Sequence, residues 1–333
     1  MFATEGQDKC MTVPPPTSLS SFTAAISALL AVVTVPCNVL VCLVILKCPP
    51  QFKNLRTPFT YFIVNLAMTD VLVGITTEPM SVVYHLMEAR ALSSTSFVRL
   101  LHLLYFLPCT VSVLSIMALT FERFFAIAKP LKYRRNVNHF RVFVVSGMIW
   151  ILSPVFLSPY FAMGYRTFSF LFANVVILVT LCSLLYAYFK IIKTIQSRKK
   201  LRQETLRGFC FANQKATLFE EKLTSTFTCI LILFTICYAT PCLLIYIMNL
   251  CTNCSCEAIH WLRDTSFLCV ICNSAINPFL YAWRLPSFRK GLRFMMLGIS
   301  KKSSLPKNST LNGAFNNKAS SLTFHYEPSR SPH

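Results

Sequence analysis

The sequence predicts an all-α membrane protein, a seven-transmembrane helix bundle with a short amphipathic helix 8. Of its 333 residues, 54% are hydrophobic and only 13% are charged, and the mean hydropathy is +0.55. Soluble domains carry roughly 25% charged residues, because a surface that faces water needs them. Most of this chain's surface must therefore face lipid, which excludes a soluble enzyme, a disordered chain and a small disulfide scaffold.

Seven apolar stretches predict the membrane spans, since each is long enough to cross the apolar core of a bilayer, which takes ~20 helical residues. They are residues 20–46, 58–86, 97–127, 140–162, 168–194, 222–250 and 262–284. Residues 1–18 are polar and rich in proline, and we expect them to form an extracellular segment before a transmembrane domain at 19–284.

The sequence after the seventh span has a different pattern. Apolar residues at 288, 292 and 295 share one helical face, and basic residues occupy the other. This predicts an amphipathic helix 8 on the membrane surface, at 285–298. Residues 299–333 are rich in Ser, Asn, Lys and Pro and are predicted to form a disordered cytoplasmic tail.

The distribution of basic residues predicts the orientation. All but five of the 32 Lys and Arg residues lie in the first, third and fifth connections or in the tail. The other five are Lys9, Arg90, Arg99, Arg166 and Arg263. By the positive-inside rule, we expect the N-terminus outside the plasma membrane and the C-terminus in the cytoplasm. The net charge of +20 then needs no nucleic acid to explain it and favours contact with anionic membrane lipid.

Five polar side chains in the second, third and seventh spans, together with Asn38 in the first, lie at bilayer depth, where polar groups are costly and are candidates for function. The five are Asp70 in the second span, Ser112 in the third, and Asn273, Ser274 and Asn277 in the seventh. A carboxylate among neutral oxygen donors suits a small cation such as sodium, because hard cations prefer oxygen ligands. A polar network that only holds helices together fits as well, and periodicity does not separate the two readings.

Charged residues at the ends of two spans form a candidate latch. Glu122 and Arg123 end the third span, and Glu221 lies at the start of the sixth. An arginine and a carboxylate on different helices can pair and create a two-state element that a ligand biases. Ordinary interfacial charge is the alternative. In the seventh span, Pro278 removes a backbone hydrogen bond and predicts a local hinge.

Together these motifs resemble those of the class A (rhodopsin-like) G-protein-coupled receptors over residues 19–297. The matching segments are Asn38-Val39, Leu66-Ala67 to Asp70, Glu122-Arg123-Phe124, Trp150, Pro241 and Asn277-Pro278 with Tyr281, in the family's order and spacing. Within this class, the chain most resembles the adenosine and melanocortin receptor branch. Residues 70–79 and 251–262 look adenosine-like, and residues 272–274 and the short connection at 161–167 look melanocortin-like.

The resemblance implies roles for individual residues. Arg123 corresponds to the arginine that meets the G protein, Glu221 to the acid that pairs with it, and Tyr188 to a tyrosine of the active state. The remaining implied switch and coupling residues are Glu122, Pro130, Tyr238, Pro241, Asn277, Pro278 and Tyr281. The five polar residues at bilayer depth resemble the family's sodium pocket, so an allosteric sodium ion is implied and no other cofactor is predicted.

Departures from the family pattern concern a disulfide and the sixth helix. Val98 stands where the third helix usually has a cysteine, and residues 161–167 hold no cysteine to pair with it, as in melanocortin receptors. The family usually reads Cys-Trp-x-Pro in the sixth helix. This chain has Cys237-Tyr238-Ala239-Thr240-Pro241, which makes Tyr238 the candidate toggle.

The resemblance also restricts the ligand. Tyr105 stands where amine receptors hold the ammonium with a third-helix aspartate, and Ile271 stands where opsins hold retinal, so neither ligand is expected. The predicted ligand-binding residues are Glu78, His102, Tyr105, Phe106, Cys109, Tyr246, Asp264 and Phe267. Together they predict an apolar cleft that offers a ligand few polar groups to bind. Glu78 is either such a binding group or a water-facing carboxylate, and His102 fits a structural role as well as a ligand contact.

Four of the 15 cysteines lie in segments predicted to be outside: Cys10, Cys251, Cys254 and Cys256. Disulfides persist in that environment. One bridge within 251–256 and one to Cys10 would fix the N-terminal segment over the cleft, but spacing leaves the connectivity open.

The first hypothesis is therefore a receptor that does no chemistry itself. It would pass the binding of an extracellular ligand, an adenosine-like small molecule or a melanocortin-like peptide, to a heterotrimeric G protein. Arrestin is a further expected partner, through phosphorylation of the tail. The alternatives are a channel or secondary transporter, and a receptor-like scaffold that no longer signals. A membrane enzyme ranks lowest, because the spans carry no histidine cluster and no nucleophile signature.

Overall fold

A computed structural model describes residues 10, 13–47, 49, 55–90, 92, 95–129, 132, 133, 135, 138–205, 211–251 and 253–303. Their long helices are α1 (Thr17–Lys47), α2 (Pro58–Glu88), α3 (Thr95–Ala128), α4 (His139–Leu157), α5 (Pro159–Thr205), α6 (Phe211–Leu250), α7 (Cys256–Arg284) and α8 (Pro286–Ser303). Each of the first seven contains a segment long and apolar enough to cross a membrane, which confirms the predicted fold class.

Local sequence explains where several helices begin. Thr57 caps α2 through reciprocal bonds with Thr60, and Pro58 occupies the first turn, where its missing N–H costs nothing. Asn138 and Ser255 cap α4 and α7 by accepting the backbone N–H three residues further on. Each cap satisfies a donor that the helix itself leaves unpaired.

The connection between α4 and α5 differs from the one expected at 161–167. α4 ends at Leu157, and helical backbone resumes at Pro159, with one interruption at Gly164, where φ is 75°. Apolar residues continue through this region, so hydropathy does not mark the boundary. Proline and glycine mark it instead, because glycine adopts positive φ without a Cβ penalty.

Apolar side chains lie on both the inside and the outside of the bundle. The largest fully buried apolar side chains include Phe59, Ile63, Ile116, Leu119, Leu231 and Tyr281. On the outer surface, Val32, Phe140 and Ile151 are 72–73% exposed. Helices that are apolar on every face suit a lipid surrounding.

Successive helices run in opposite directions, so α1, α3, α5 and α7 begin at one end of the bundle, here called the N-terminal end. Residues 1–295 form one compact unit, and the structure describes residues 296–303 of the second. Within the first unit, Phe288 of α8 is buried and packs with Leu292 and Met295 in the bundle core. These three residues are the apolar face predicted for helix 8.

α1 and α2 approach closely at Gly74, which lies in a π turn at Val73–Thr77 within α2. A Cβ atom on Gly74 would lie 2.6 Å from Cγ2 of Val35 and 3.3 Å from Cγ2 of Thr34. Real side chains do not approach so closely, so this position requires glycine.

Gly74→Ala is expected to destabilise the bundle by roughly 1–3 kcal/mol, the usual cost of overpacking, because the β-branched Val35 is stiff and cannot turn away. Gly147→Ala on α4 is the matched control, since a Cβ there meets nothing within 4 Å and alanine favours the helix. The measurement is the apparent melting temperature of the solubilised protein. Equal melting temperatures for the two variants would contradict the close approach.

Candidate functional site

A cavity lies at the N-terminal end of the bundle among α2, α3, α5, α6 and α7. It encloses about 860 Å³ of space between atoms, its opening included. Its lining includes six of the eight predicted ligand-binding residues: His102, Tyr105, Phe106, Cys109, Asp264 and Phe267. The structure therefore brings these six together around one space.

Aromatic rings form the α3 side of the cavity. His102 stacks on Tyr165 of α5 with ring centroids 3.9 Å apart, and its Nδ1 lies 3.0 Å from the Tyr160 hydroxyl. Tyr105 stacks on Phe267 of α7 with centroids 5.3 Å apart. His102 thus has structural contacts while it also forms part of the cavity wall.

The other two predicted ligand-binding residues lie outside the cavity lining. Glu78 is 0% exposed and accepts a hydrogen bond from the Thr34 hydroxyl of α1 at 3.1 Å. It is thus neither a cavity anchor nor a water-facing carboxylate, because the π turn before it changes which residues of α2 face the cavity. Tyr246 donates a hydrogen bond to Asn174 and packs edge-on against Phe170, at the contact between α5 and α6.

An ionic cluster joins α2 and α7 at the cavity wall. This α2–α7 cluster consists of Tyr84, His85, Glu88, Arg263 and Asp264. The Arg263 guanidinium donates to both oxygens of Glu88, at 2.8 and 3.1 Å, and to Asp264 at 2.7 Å. The His85 Nδ1 lies 3.1 Å from Glu88 and 3.8 Å from Asp264. The Tyr84 hydroxyl donates to Glu88 at 2.9 Å.

α1 completes this cluster with two hydroxyl groups. Ser20 donates to Glu88 at 3.2 Å, and Thr23 donates to Asp264 at 3.1 Å. Glu88 thus accepts hydrogen bonds from α1, α2 and α7, and Asp264 accepts them from α1 and α7, as buried charges require.

Of the α2–α7 cluster, only Asp264 is among the ligand-binding residues predicted from the sequence. The second predicted span ends at residue 86, before Glu88, and Arg263 counts there only as one of the five basic residues predicted to lie outside. A usable signal was the spacing of Tyr84, His85 and Glu88, since residues three or four apart share a helical face. The approach of α7 to that face is a tertiary contact, which single-sequence reasoning does not supply.

A polar network lies deeper in the bundle, between α1, α2 and α7. Asn277 donates to the Asp70 carboxylate at 3.0 Å, and Asn38 donates to the Ser274 carbonyl at 3.0 Å. Asp70, Ser274, Asn277 and the neighbouring Asn273 are 1–5% exposed. These are four of the five residues predicted for the sodium pocket. The fifth, Ser112, lines a small cavity together with Ser274.

The donor set of this network fits a sodium ion. Asp70 supplies a carboxylate, and the buried side-chain oxygen of Asn273 has no hydrogen-bond partner among the described atoms. Ser112 and Ser274 add hydroxyl oxygens. Hard cations prefer such oxygen ligands, so these residues are the ones that would hold the ion.

The opposite end of the bundle holds Arg123. Its Nε donates to the Glu122 carboxylate at 2.5 Å, its Nη2 lies 3.4 Å from the Tyr133 hydroxyl, and its guanidinium lies 4.8 Å from the Phe59 ring centroid. The Tyr133 hydroxyl also donates to Glu122. Arg123 is only 2% exposed. The neighbouring Glu122 carboxylate compensates its buried charge.

Three predicted switch residues fall outside the described part of the structure. The side chains of Tyr188 and Glu221 and the whole of Pro130 are not among the described atoms, so the Arg123–Glu221 latch stays a prediction.

The remaining switch candidates lie on α6 and α7. Tyr238 and Pro241 both line the cavity, and the Tyr238 ring stacks on Phe234 with centroids 4.2 Å apart. Pro278 lies within α7, and Tyr281, one turn further on, is 0% exposed. The cavity thus reaches the part of α6 where Pro241 interrupts the helical hydrogen bonds.

Two disulfides lie at the N-terminal end. Cys10 pairs with Cys256, and Cys251 pairs with Cys254. The Val13 carbonyl also lies 2.9 Å from Nε2 of His260 on α7. The first bridge and this contact attach the N-terminal segment to the start of α7. The expectation of disulfides is confirmed, and the connectivity that spacing left open is resolved.

Glu88→Gln is expected to lower the stability of the bundle by roughly 1–3 kcal/mol, because it leaves the Arg263 charge with one carboxylate in place of two. Glu257→Gln is the matched control, since Glu257 is an exposed acid in the first turn of the same helix α7. Thermal unfolding of the solubilised variants provides the comparison. A Glu88→Gln variant as stable as the control would show that the cluster does not stabilise the fold.

Comparison with known proteins agrees with this geometry. The chain matches the family described as 7 transmembrane receptor (rhodopsin family) over residues 37–170 and 160–281. It is 27% identical to the human (Homo sapiens) adenosine receptor A2a over 82% of this chain and 72% of that receptor. It is also 27% identical to the human histamine H2 receptor over 79% of this chain and 76% of that receptor, and to the pig (Sus scrofa) melanocortin receptor 5 over 70% and 80%.

These relatives are signalling receptors, which supports the receptor hypothesis over the channel, transporter and enzyme alternatives. With more than half of its length matched to the family, the chain belongs to the rhodopsin family of seven-transmembrane receptors and functions as a G-protein-coupled receptor.

Proposed function

We propose that this receptor presents the N-terminal end of its bundle to the outside, binds a small ligand in the cavity and activates a heterotrimeric G protein at the opposite end. One observation carries the proposal: Tyr238 and Pro241 line the cavity, and both belong to α6, which extends from there towards the opposite end of the bundle. A ligand in the cavity therefore touches the helix that continues to the other end of the bundle. The excess of basic residues in three connections and the tail supports this orientation.

Signalling requires a ligand that binds the two states of the bundle with different affinities. In the active state, Arg123 leaves Glu122 and Tyr133 and meets the G protein. A change from 1:99 to 99:1 in favour of that state needs a difference of about 5.5 kcal/mol. Contacts with Tyr238 and Pro241 are the means by which the ligand distinguishes the states.

The relatives do not select the ligand, because their names refer to adenosine, histamine and melanocortins. The cavity is concave, its lining is mostly apolar, and few of its lining residues are charged, which is typical of a small-molecule site. This supports a small molecule over a peptide. We further propose that the exposed Arg289, Lys290 and Arg293 of α8 contact anionic lipid, and that a phosphorylated tail recruits arrestin.

Glu122→Gln is expected to raise basal signalling several-fold, because it removes the carboxylate that holds Arg123 in the described structure. Cyclic AMP and calcium release would be measured in parallel in cells with matched surface expression, because the Gα subtype that the receptor activates is not assigned. Glu257→Gln is the charge-matched control, and Arg123→Ala supplies the signal-negative baseline. Basal signals equal to the unaltered receptor in both assays would argue against this restraint on Arg123.

We also propose that the network around Asp70 holds a sodium ion in the inactive state. Sodium chloride, compared with N-methylglucamine chloride at equal ionic strength, is then expected to raise the melting temperature of the purified receptor. Asp70→Asn should abolish this difference, and Glu78→Gln, a second buried acid of α2, should keep it. A loss in Glu78→Gln with retention in Asp70→Asn would assign the ion to Glu78 instead.

A further inference from the structure

Few charged residues line the cavity, and the α2–α7 cluster at its wall has two carboxylates for one guanidinium. Among the described lining residues, Arg263 and Asp264 carry formal charge, apart from the histidines His85 and His102. Glu88, the second carboxylate of the α2–α7 cluster, is not part of the lining. One guanidinium therefore serves two carboxylates, with the His85 ring beside both, and Asp264 is the carboxylate that lines the cavity.

Hydrogen bonding shows which group retains capacity for a ligand. Four of the five Arg263 N–H donors are used: Nε on Asp264, Nη1 on Glu88 and on the Tyr84 hydroxyl, and Nη2 on Glu88. One N–H, on Nη2, remains unused among the described residues. An anionic ligand would have this single donor from Arg263 and would meet the Asp264 carboxylate beside it.

Asp264 has more capacity than Arg263. It accepts one bond from Arg263 and one from the Thr23 hydroxyl, while His85 at 3.8 Å is beyond hydrogen-bonding distance. A carboxylate offers about four acceptor positions, so roughly half of them remain for a donor in the cavity.

Aromatic side chains line the same cavity as this carboxylate. Phe267 follows Asp264 by one turn of α7 and stacks on Tyr105 across the cavity at 5.3 Å. Deeper residues of the lining, Phe106, Phe172 and Val176, are apolar. A cation held by the carboxylate would lie in the same cavity as these rings, and cation–π attraction would add to the charge pairing.

On this basis we propose that the receptor recognises a small aromatic amine, whose ammonium group is held by Asp264 of α7 and whose ring lies against Phe267 and Tyr105. The inference rests on the proposed ligand cavity and adds the chemical class of the ligand. It also changes one expectation from the sequence. Tyr105 excludes an ammonium anchor on the third helix, but the carboxylate that faces the cavity comes from the seventh.

The first test needs no variant. Three probes of similar size differ in charge: phenethylamine is a cation at neutral pH, N-acetylphenethylamine is neutral, and phenylpropanoate is an anion. Each is titrated against the purified full-length receptor, with the melting temperature as the readout. We expect the amine to raise the melting temperature in a saturable way and the other two to have little effect. Stabilisation by the anion or the neutral probe equal to that by the amine, or stabilisation by none of them, would overturn the proposal.

The second test assigns the anchor. Asp264→Asn is expected to weaken phenethylamine binding at least ~tenfold, the cost of one hydrogen bond to a charged group. Asp264→Glu should restore part of the affinity, and Glu257→Gln, which removes an exposed acid from the same helix, should leave it unchanged. An Asp264→Asn variant that melts at a lower temperature but keeps its affinity for the amine would show that Asp264 is purely structural.

These tests separate this inference from the proposed function. They measure binding and do not require a G protein, so a receptor that binds the amine without signalling would retain the Asp264 site. A receptor whose basal signalling responds to Glu122→Gln but which binds none of the probes would retain its coupling function and lose the ligand assignment.

Discussion

Inside a bilayer no water is present to satisfy polar groups, and this bundle depends on the hydrogen bonds that α1 makes under that constraint. Ser20, Thr23, Ser27, Thr34 and Asn38 share one face of α1, and all five are 0% exposed. Each bonds to α2 or α7: the partners are Glu88, Asp264, Ser81, Glu78 and the Ser274 carbonyl. The three helices thus form one hydrogen-bonded unit, and this unit fixes the positions of every carboxylate considered for ligand or ion binding.

The contacts of α6 are of another kind. Side-chain hydrogen bonds join it to α5 and α7, from Tyr246 to Asn174 and from Arg284 to Ser225. Between these positions, Ser266 of α7 donates to the Pro241 carbonyl at 3.4 Å, and the Cys242 thiol lies 3.6 Å from the Ala173 carbonyl of α5, both long and weak bonds. Most of the buried α6 residues, among them Phe227 and Leu231, pack through apolar contact. Apolar contact is not directional, so α6 shifts against its neighbours at a smaller cost than α1 shifts against α2. A rigid α1–α2–α7 unit beside a less constrained α6 suits a receptor that transmits binding by moving one helix.

The sequence predicts the membrane spans and the buried polar residues, but it does not predict the contacts between helices. Hydropathy located all seven spans, and the cost of burying polar groups singled out Asp70 and Asn277, which the structure joins. Two features could not be predicted from the sequence, and the reasons are physical. The direction of Glu78 depends on a π turn that leaves no composition signal. The pairing of Glu88 with Arg263 needs the approach of two helices that are far apart in sequence, which periodicity within one helix does not describe.

The same division explains why relatives at 27% identity do not name the ligand. The residues that resemble the family most closely lie deep in the bundle or at its far end, where Asp70 and Arg123 depend on helix packing that the whole fold shares. The cavity opens among five helices, and any of them can present a charged side chain to the same space. Here α7 contributes that charge through Asp264, while α3 contributes the ring of Tyr105. Under the proposed amine site, the position of the ligand depends on which helix carries the carboxylate, while the helix packing around Asp70 and Arg123 does not depend on it.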